Sequence, residues 1–129
     1  MPLVRIDLVR GRSPEEVRRL ADTVQEVVLD VFAAPPGDRY QVIHQHDADE
    51  IIAEDTGLGI ERTDGVTIVQ VTQQGRGREQ KEALYAALAR RLDEEGLVRP
   101  TDLIVSLVRN EPEDWSFGHG RAQFLTGEL

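Results

Sequence analysis

The chain contains no cysteine, which excludes disulfides, thiol nucleophiles and thiolate metal sites together. No apolar run approaches the roughly 20 residues that a membrane-crossing helix needs, so no membrane association is expected. No basic segment leads into a short apolar one as in a secretory signal, and a cytoplasmic address is the expectation. Glycine-rich phosphate loops, nucleophile elbows and paired-histidine zinc motifs are missing as well. Positive charge is in short supply: 15 Lys and Arg against 24 Asp and Glu leave a net charge of −9. That balance argues against nucleic acid as a partner, because phosphate backbones are held by clustered cations. An anionic substrate would need a few arginines to create a local positive field.

What is present fits one α+β domain spanning all 129 residues. Leu3 to Val9 alternates as a strand, with Val4, Ile6 and Leu8 on one face and Leu3, Arg5 and Asp7 on the other. Ser13-Pro14-Glu15-Glu16 is a helix start with a capping serine, a proline at the first helical position and a glutamate three residues after the cap. The series Val17, Leu20, Ala21, Val24, Val27, Val28, Val31 then lays one apolar stripe along that helix. Pro35-Pro36-Gly37 ends it, and a second strand is expected over Arg39 to His46. Asp47 to Thr63 is an irregular excursion or short hairpin. A third strand over Val66 to Val71, a helix from about Arg78 to Glu95 and a fourth strand over Leu103 to Val108 complete the pattern.

The halves match at an offset of 64: Gly11-Arg12 falls on Gly75-Arg76, Leu20 on Leu84, Pro36 on Pro100 and Asp38 on Asp102. This predicts a duplicated β-α-β unit, with halves of about 2–46 and 66–109, a tail over 110–129, and two helices on one face of a four-stranded sheet. At that offset Pro2 corresponds to Val66.

Pro2 is the first candidate for chemistry. Once Met1 is removed it is a secondary amine that can act as acid, base or nucleophile; with Met1 retained it is an amide without N–H. Gln74-Gly75-Arg76-Gly77-Arg78 places arginines and free backbone N–H groups at a helix start, a pattern suited to a carboxylate or a phosphate, or simply to a solvated turn. Asp38 follows a rigid turn, where it can serve catalysis or simply cap that turn. His44 and His46 share a strand face with Asp47 and Asp49 close behind, a weak metal pattern because no third ligand has a defined spacing. His119 stands alone. Trp115, Phe117 and Phe124, the only tryptophan and two of the three phenylalanines, either close a core or line a pocket.

These residues resemble the tautomerase superfamily, whose members use an amino-terminal proline freed by loss of methionine. The segments Asp38-Arg39-Tyr40-Gln41-Val42, Glu54-Asp55-Thr56-Gly57-Leu58-Gly59-Ile60, Asp114-Trp115-Ser116-Phe117-Gly118 and Ala122-Gln123-Phe124-Leu125-Thr126-Gly127 are most similar to the malonate semialdehyde decarboxylase family. The resemblance implies a homotrimer without metal or organic cofactor that decarboxylates a small anionic 3-oxo acid, malonate semialdehyde, to acetaldehyde. Pro2, Asp38 and Arg76 would be catalytic, while Gln74, Arg78, Tyr40, Trp115, Phe117 and Phe124 would bind substrate. The family's first arginine falls on Gln74, so either Gln74 or Arg78 completes the carboxylate clamp. Other expectations kept open are hydration or dehalogenation of acetylenic and 3-haloacrylic acids, ketone–enol tautomerisation, and a non-catalytic binding or regulatory trimer that keeps Met1.

Overall fold

A computed structural model describes residues 2–129; the expected loss of Met1 lies outside the described residues. Strand β1 (Leu3–Val9) leads into α1 (Pro14–Val31) and β2 (Tyr40–His46). Strand β3 (Thr67–Gln74), α2 (Arg78–Glu94) and β4 (Leu103–Asn110) repeat that order, and a single helical turn, α3 (Gln123–Thr126), lies near the end. No helix among the described residues is long and apolar enough to cross a membrane.

Local chemistry sets the element limits. The backbone N–H of Glu16 donates to Ser13 Oγ at 3.2 Å, which caps α1, and Pro14 occupies its first turn. Helix α2 stops where Gly96 takes a φ of +67°, letting the N–H groups of Leu97 and Val98 donate back to the Leu92 carbonyl. The third strand runs three residues beyond the expected Val71, so Gln73 and Gln74 are strand residues. The excursion after β2 is loop with one short 3-10 turn at Ala48–Glu50 and no hairpin.

The sheet order is β2-β1-β3-β4, with each half parallel within itself and the halves joined by the antiparallel pair β1 and β3. Val4, Ile6 and Leu8 share their face with Val69 and Val71, and both helices pack there. Leu20, Val24, Val28, Leu84, Leu88 and Leu92 close this core and are fully buried.

The two halves do not keep one offset throughout. The helices and the pair Asp38 and Asp102 hold at 64 residues. Leu3 pairs with Tyr40 and Ile68 with Ile104, so β1 maps onto β3 one residue further along. Side-chain alternation allows nothing else: a slip of one would turn the buried face outward. The counterpart of Pro2 is therefore Thr67, not Val66.

Replacing Leu88 by alanine, at a site with no solvent exposure, is expected to cost about 2–5 kcal/mol of unfolding free energy in a denaturant titration. A loss below about 1 kcal/mol would contradict this account of the core.

Candidate active site at the Pro2 rim

The antiparallel joint brings the starts of β1 and β2 and the ends of β3 and β4 to one rim of the sheet. Pro2, Tyr40, Gln74 and Asn110 mark those four strand ends. Pro2 is buried. Continuing the ladders one residue past Leu3 sets it across from Gln73 on one side and Arg39 on the other.

Asp38 is 3 % exposed. Its turn is fixed by its own N–H donating to the Pro35 carbonyl at 3.2 Å and by Gly37, whose φ of +89° suits glycine. The buried amide of Gln25 on α1 donates from Nε2 to the Asp38 carbonyl at 2.9 Å. Arg39 reaches back to Asp22 on α1 at 2.7 Å, tying the start of β2 to that helix. The Arg39 hydrogen bond holds the Asp22 carboxyl below its ordinary pKa of 3.8; partial burial opposes the shift and the Arg18 charge adds to it.

Arg76 is half-buried and anchored by backbone oxygens. Nη1 donates to the Gln74 carbonyl at 2.7 Å and Nη2 to the Phe32 carbonyl at 3.1 Å, with the guanidinium carbon 5.1 Å from the centre of the Phe32 ring. Two of five N–H donors are thus spent, which leaves three for a ligand. The Arg76 N–H donates to Gln73 Oε1 at 3.1 Å. Gln74 Nε2 is buried and has no partner. Arg78 lies apart from this group: its side chain is 89 % exposed and pairs with Glu82 at 2.9 Å.

Beyond β4 the chain crosses the rim as an aromatic strap. Trp115 Nε1 donates to Asn110 Oδ1 at 2.9 Å, at the β4 edge. Phe117 stacks on Trp115 at 5.3 Å and on Tyr40, at the opposite β2 edge, at 5.5 Å, while Phe124 meets it edge-on at 5.5 Å. Buried Gln123 holds this bend, accepting from the Phe117 N–H and donating to the Gly118 carbonyl. Stacked pairs of this kind contribute about 0.5–1.5 kcal/mol each beyond their burial.

The opposite rim carries the second half's version of the site. There a cavity of about 230 Å³ is lined by Arg12, Asp102, Thr63 and Gly65, among others. Asp102 accepts from both the N–H and the hydroxyl of Thr63. A Cβ on Gly65 would lie 3.0 Å from that carboxylate. Continuous peptide occupies this rim, so it can offer no terminal amine. The histidine pair is elsewhere, on the uncovered sheet face. Its third neighbour is Asp7, 2.7 Å from His46 Nε2 and 3.7 Å from His44 Nδ1, rather than Asp47 or Asp49. The Arg5 guanidinium lies 3.0 Å from His44 Nδ1 and would oppose a cation there. His119 is exposed in the tail.

Two family models, each described as tautomerase enzyme, match residues 38–118 and 2–60. A Bacillus subtilis (strain 168) protein described as probable tautomerase YrdN is 47 % identical over the full length of both chains. The chain belongs to the tautomerase family. A second tautomerase-family relative from that strain, probable tautomerase YusQ, is 39 % identical over 97 % of this chain and 99 % of its own. Among solved structures, the wild-type, mutant and inactivated malonate semialdehyde decarboxylase superposes with a TM-score of 0.94 at 42 % identity, over 98 % of each chain. A malonate semialdehyde decarboxylase inhibited by 3-bromopropiolate gives 0.94 at 44 %, over 98 % of this chain and 97 % of that one. A fused 4-OT symmetric trimer shares the fold with a TM-score of 0.79 at 21 % identity, over 97 % of this chain and 98 % of that one.

Gln25 and Gln73 were not singled out from the sequence. Gln25 lies beside the apolar helix stripe as a buried polar residue, as Thr23 does, and Gln73 is visible only once the third strand is carried past Val71. Because Asp22 has a lowered pKa in the fold, its stabilisation is present above the ordinary value and lost as pH falls through the folded one. Thermal melts between about pH 5 and about pH 3 should therefore drop further for the native chain than for Asp22→Asn. Equal drops would contradict this.

Proposed function

We propose that this tautomerase-family chain is a cofactor-independent decarboxylase of malonate semialdehyde. The observation that carries the reading is that buried Pro2 and Asp38 lie at the same sheet rim as an arginine already oriented by two carbonyls and as the aromatic strap. Identities of 42–44 % with malonate semialdehyde decarboxylases over almost the whole chain support it.

In this mechanism the substrate carboxylate rests on the free N–H groups of Arg76 and on Gln74 Nε2. Arg78 is not needed. Trp115, Phe117 and Phe124 keep that end of the substrate dry, which strengthens the ionic contact and disfavours the charged reactant relative to neutral carbon dioxide. Pro2, freed by loss of Met1, is kept protonated by the Asp38 carboxylate and donates to the aldehyde oxygen. With the C–C bond held perpendicular to the carbonyl plane, its electron pair moves into the carbonyl π-system. Carbon dioxide leaves, and the enolate takes one proton at carbon to give acetaldehyde.

The same groups can serve a hydratase, with Asp38 activating water, and one of the similar decarboxylase structures is described as the basis for both decarboxylase and hydratase activities. A homotrimer fits the uncovered sheet face, where Val42 and Val108 are each 41 % exposed.

Proton NMR of the purified protein with malonate semialdehyde, a 3-haloacrylate and phenylpyruvate in parallel should show acetaldehyde as the principal product. Persistence of malonate semialdehyde alongside turnover of another substrate would overturn the assignment. Arg76→Ala is expected to lower kcat/KM by a factor of about 30 to several thousand, since truncating a buried charge partner costs on the order of 2–5 kcal/mol. Pro2→Ala should likewise reduce turnover severely.

A further inference from the structure

Among the described residues, three buried side-chain polar atoms have no partner: Gln25 Oε1, Gln73 Nε2 and Gln74 Nε2. All three belong to side chains around Pro2, Asp38 and Arg76. A buried amide group left unpaired costs free energy, and such costs persist where a ligand supplies the missing partner.

Gln73 is the most constrained of the three. It has no solvent exposure. Its carboxamide is anchored at Oε1 by the Arg76 N–H, so Nε2 is the free end. The β1 and β3 register makes Pro2 its cross-strand neighbour on the same face.

The duplicated architecture provides an internal control. Under the correspondence of β1 with β3, the counterpart of Gln73 is Leu8, also fully buried. The counterpart of Gln25 is Ala89. At the rim that cannot carry an amine, the same scaffold is built with apolar residues at both positions. The fold therefore does not require an amide at position 73.

We propose that Gln73 Nε2 is a second hydrogen-bond donor to the substrate's carbonyl oxygen, acting beside the Pro2 amine as that oxygen gains enolate charge. The proposal rests on the decarboxylase reading for its substrate, but not for its chemistry, because keto–enol tautomerisation develops charge on the same kind of oxygen. In decarboxylation the C–C bond pair becomes the enolate π-bond, the carbonyl π-pair moves onto oxygen, carbon dioxide departs, and one proton is delivered to carbon from the Pro2 ammonium or from water. Gln73 exchanges no proton; its N–H shortens its contact as the charge grows. A preorganised neutral donor in a dry site acts in this way without reorganisation.

The test compares Gln73→Leu, which installs the other half's residue at nearly constant volume, with Gln73→Glu, which keeps an acceptor for the Arg76 N–H and removes the amide donor. Each is assayed with malonate semialdehyde and with phenylpyruvate across pH, alongside thermal melts. Both variants should fold and lose roughly 10²–10³-fold in kcat, with KM for the acid changing far less because Arg76 still holds the carboxylate. The proposal is overturned if kcat is retained in either variant. It is equally overturned if the loss appears in KM alone, or if only the pH profile moves while kcat at the optimum is kept; Gln73 would then position Arg76 or Pro2. If the native enzyme tautomerises phenylpyruvate but leaves malonate semialdehyde unchanged, the decarboxylase reading fails and the phenylpyruvate arm still decides the role of Gln73. A native enzyme inert toward both substrates overturns the two together.

Discussion

The antiparallel ladder between β1 and β3 is the joint on which the rest of the molecule depends. Each half by itself is a two-stranded parallel pair with one helix, too small to bury its apolar face. Joined along β1 and β3, the halves place Val4, Ile6, Leu8, Val69 and Val71 in one continuous layer under both helices. The same joint collects four strand ends at each rim. The two rims differ: one is crossed by continuous chain at Gly65, and the other is where β1 begins.

Charge is managed locally within an acidic protein. Many of its arginines are taken up in exposed ion pairs, such as Arg78 with Glu82 and Arg18 with Asp22. Arg76 is held by neutral carbonyls, so its charge is oriented without being cancelled. Arg12, its counterpart, donates to the Gly65 and Leu97 carbonyls in the same manner. The arginine scaffold is thus common to both rims, whereas the buried glutamines and the aromatic strap belong to one.

Much of the fold was legible because it is written in strong local signals: Ser13-Pro14, Pro35-Pro36-Gly37, Gly96 and apolar spacing that changes between strand and helix periods. The one-residue slip between β1 and β3 was hidden, since the residues that reveal the repeat lie in turns, helices and the second strand of each half, where the offset is constant. Only strand pairing shows it. Pro2, Asp38 and Arg76 stood out as residue types with chemistry next to turns. Gln25 and Gln73 did not, because a glutamine matters here through what it lacks, a partner for one buried atom, and that is a property of packing. Gln74 and Arg78 differ in a way that residue type does not reveal: Arg78 begins α2 with its side chain in solvent, whereas Gln74 ends β3 with its Nε2 buried.

The central claim is that Pro2 carries a free amine within the site. It is tested most directly by nitrogen-15 NMR of the purified chain labelled at its six prolines, recorded across a pH titration. A secondary-amine resonance that titrates, and that is lost in Pro2→Ala, is the predicted result. Six non-titrating amide nitrogens would mean that Met1 remains attached, and would contradict the account.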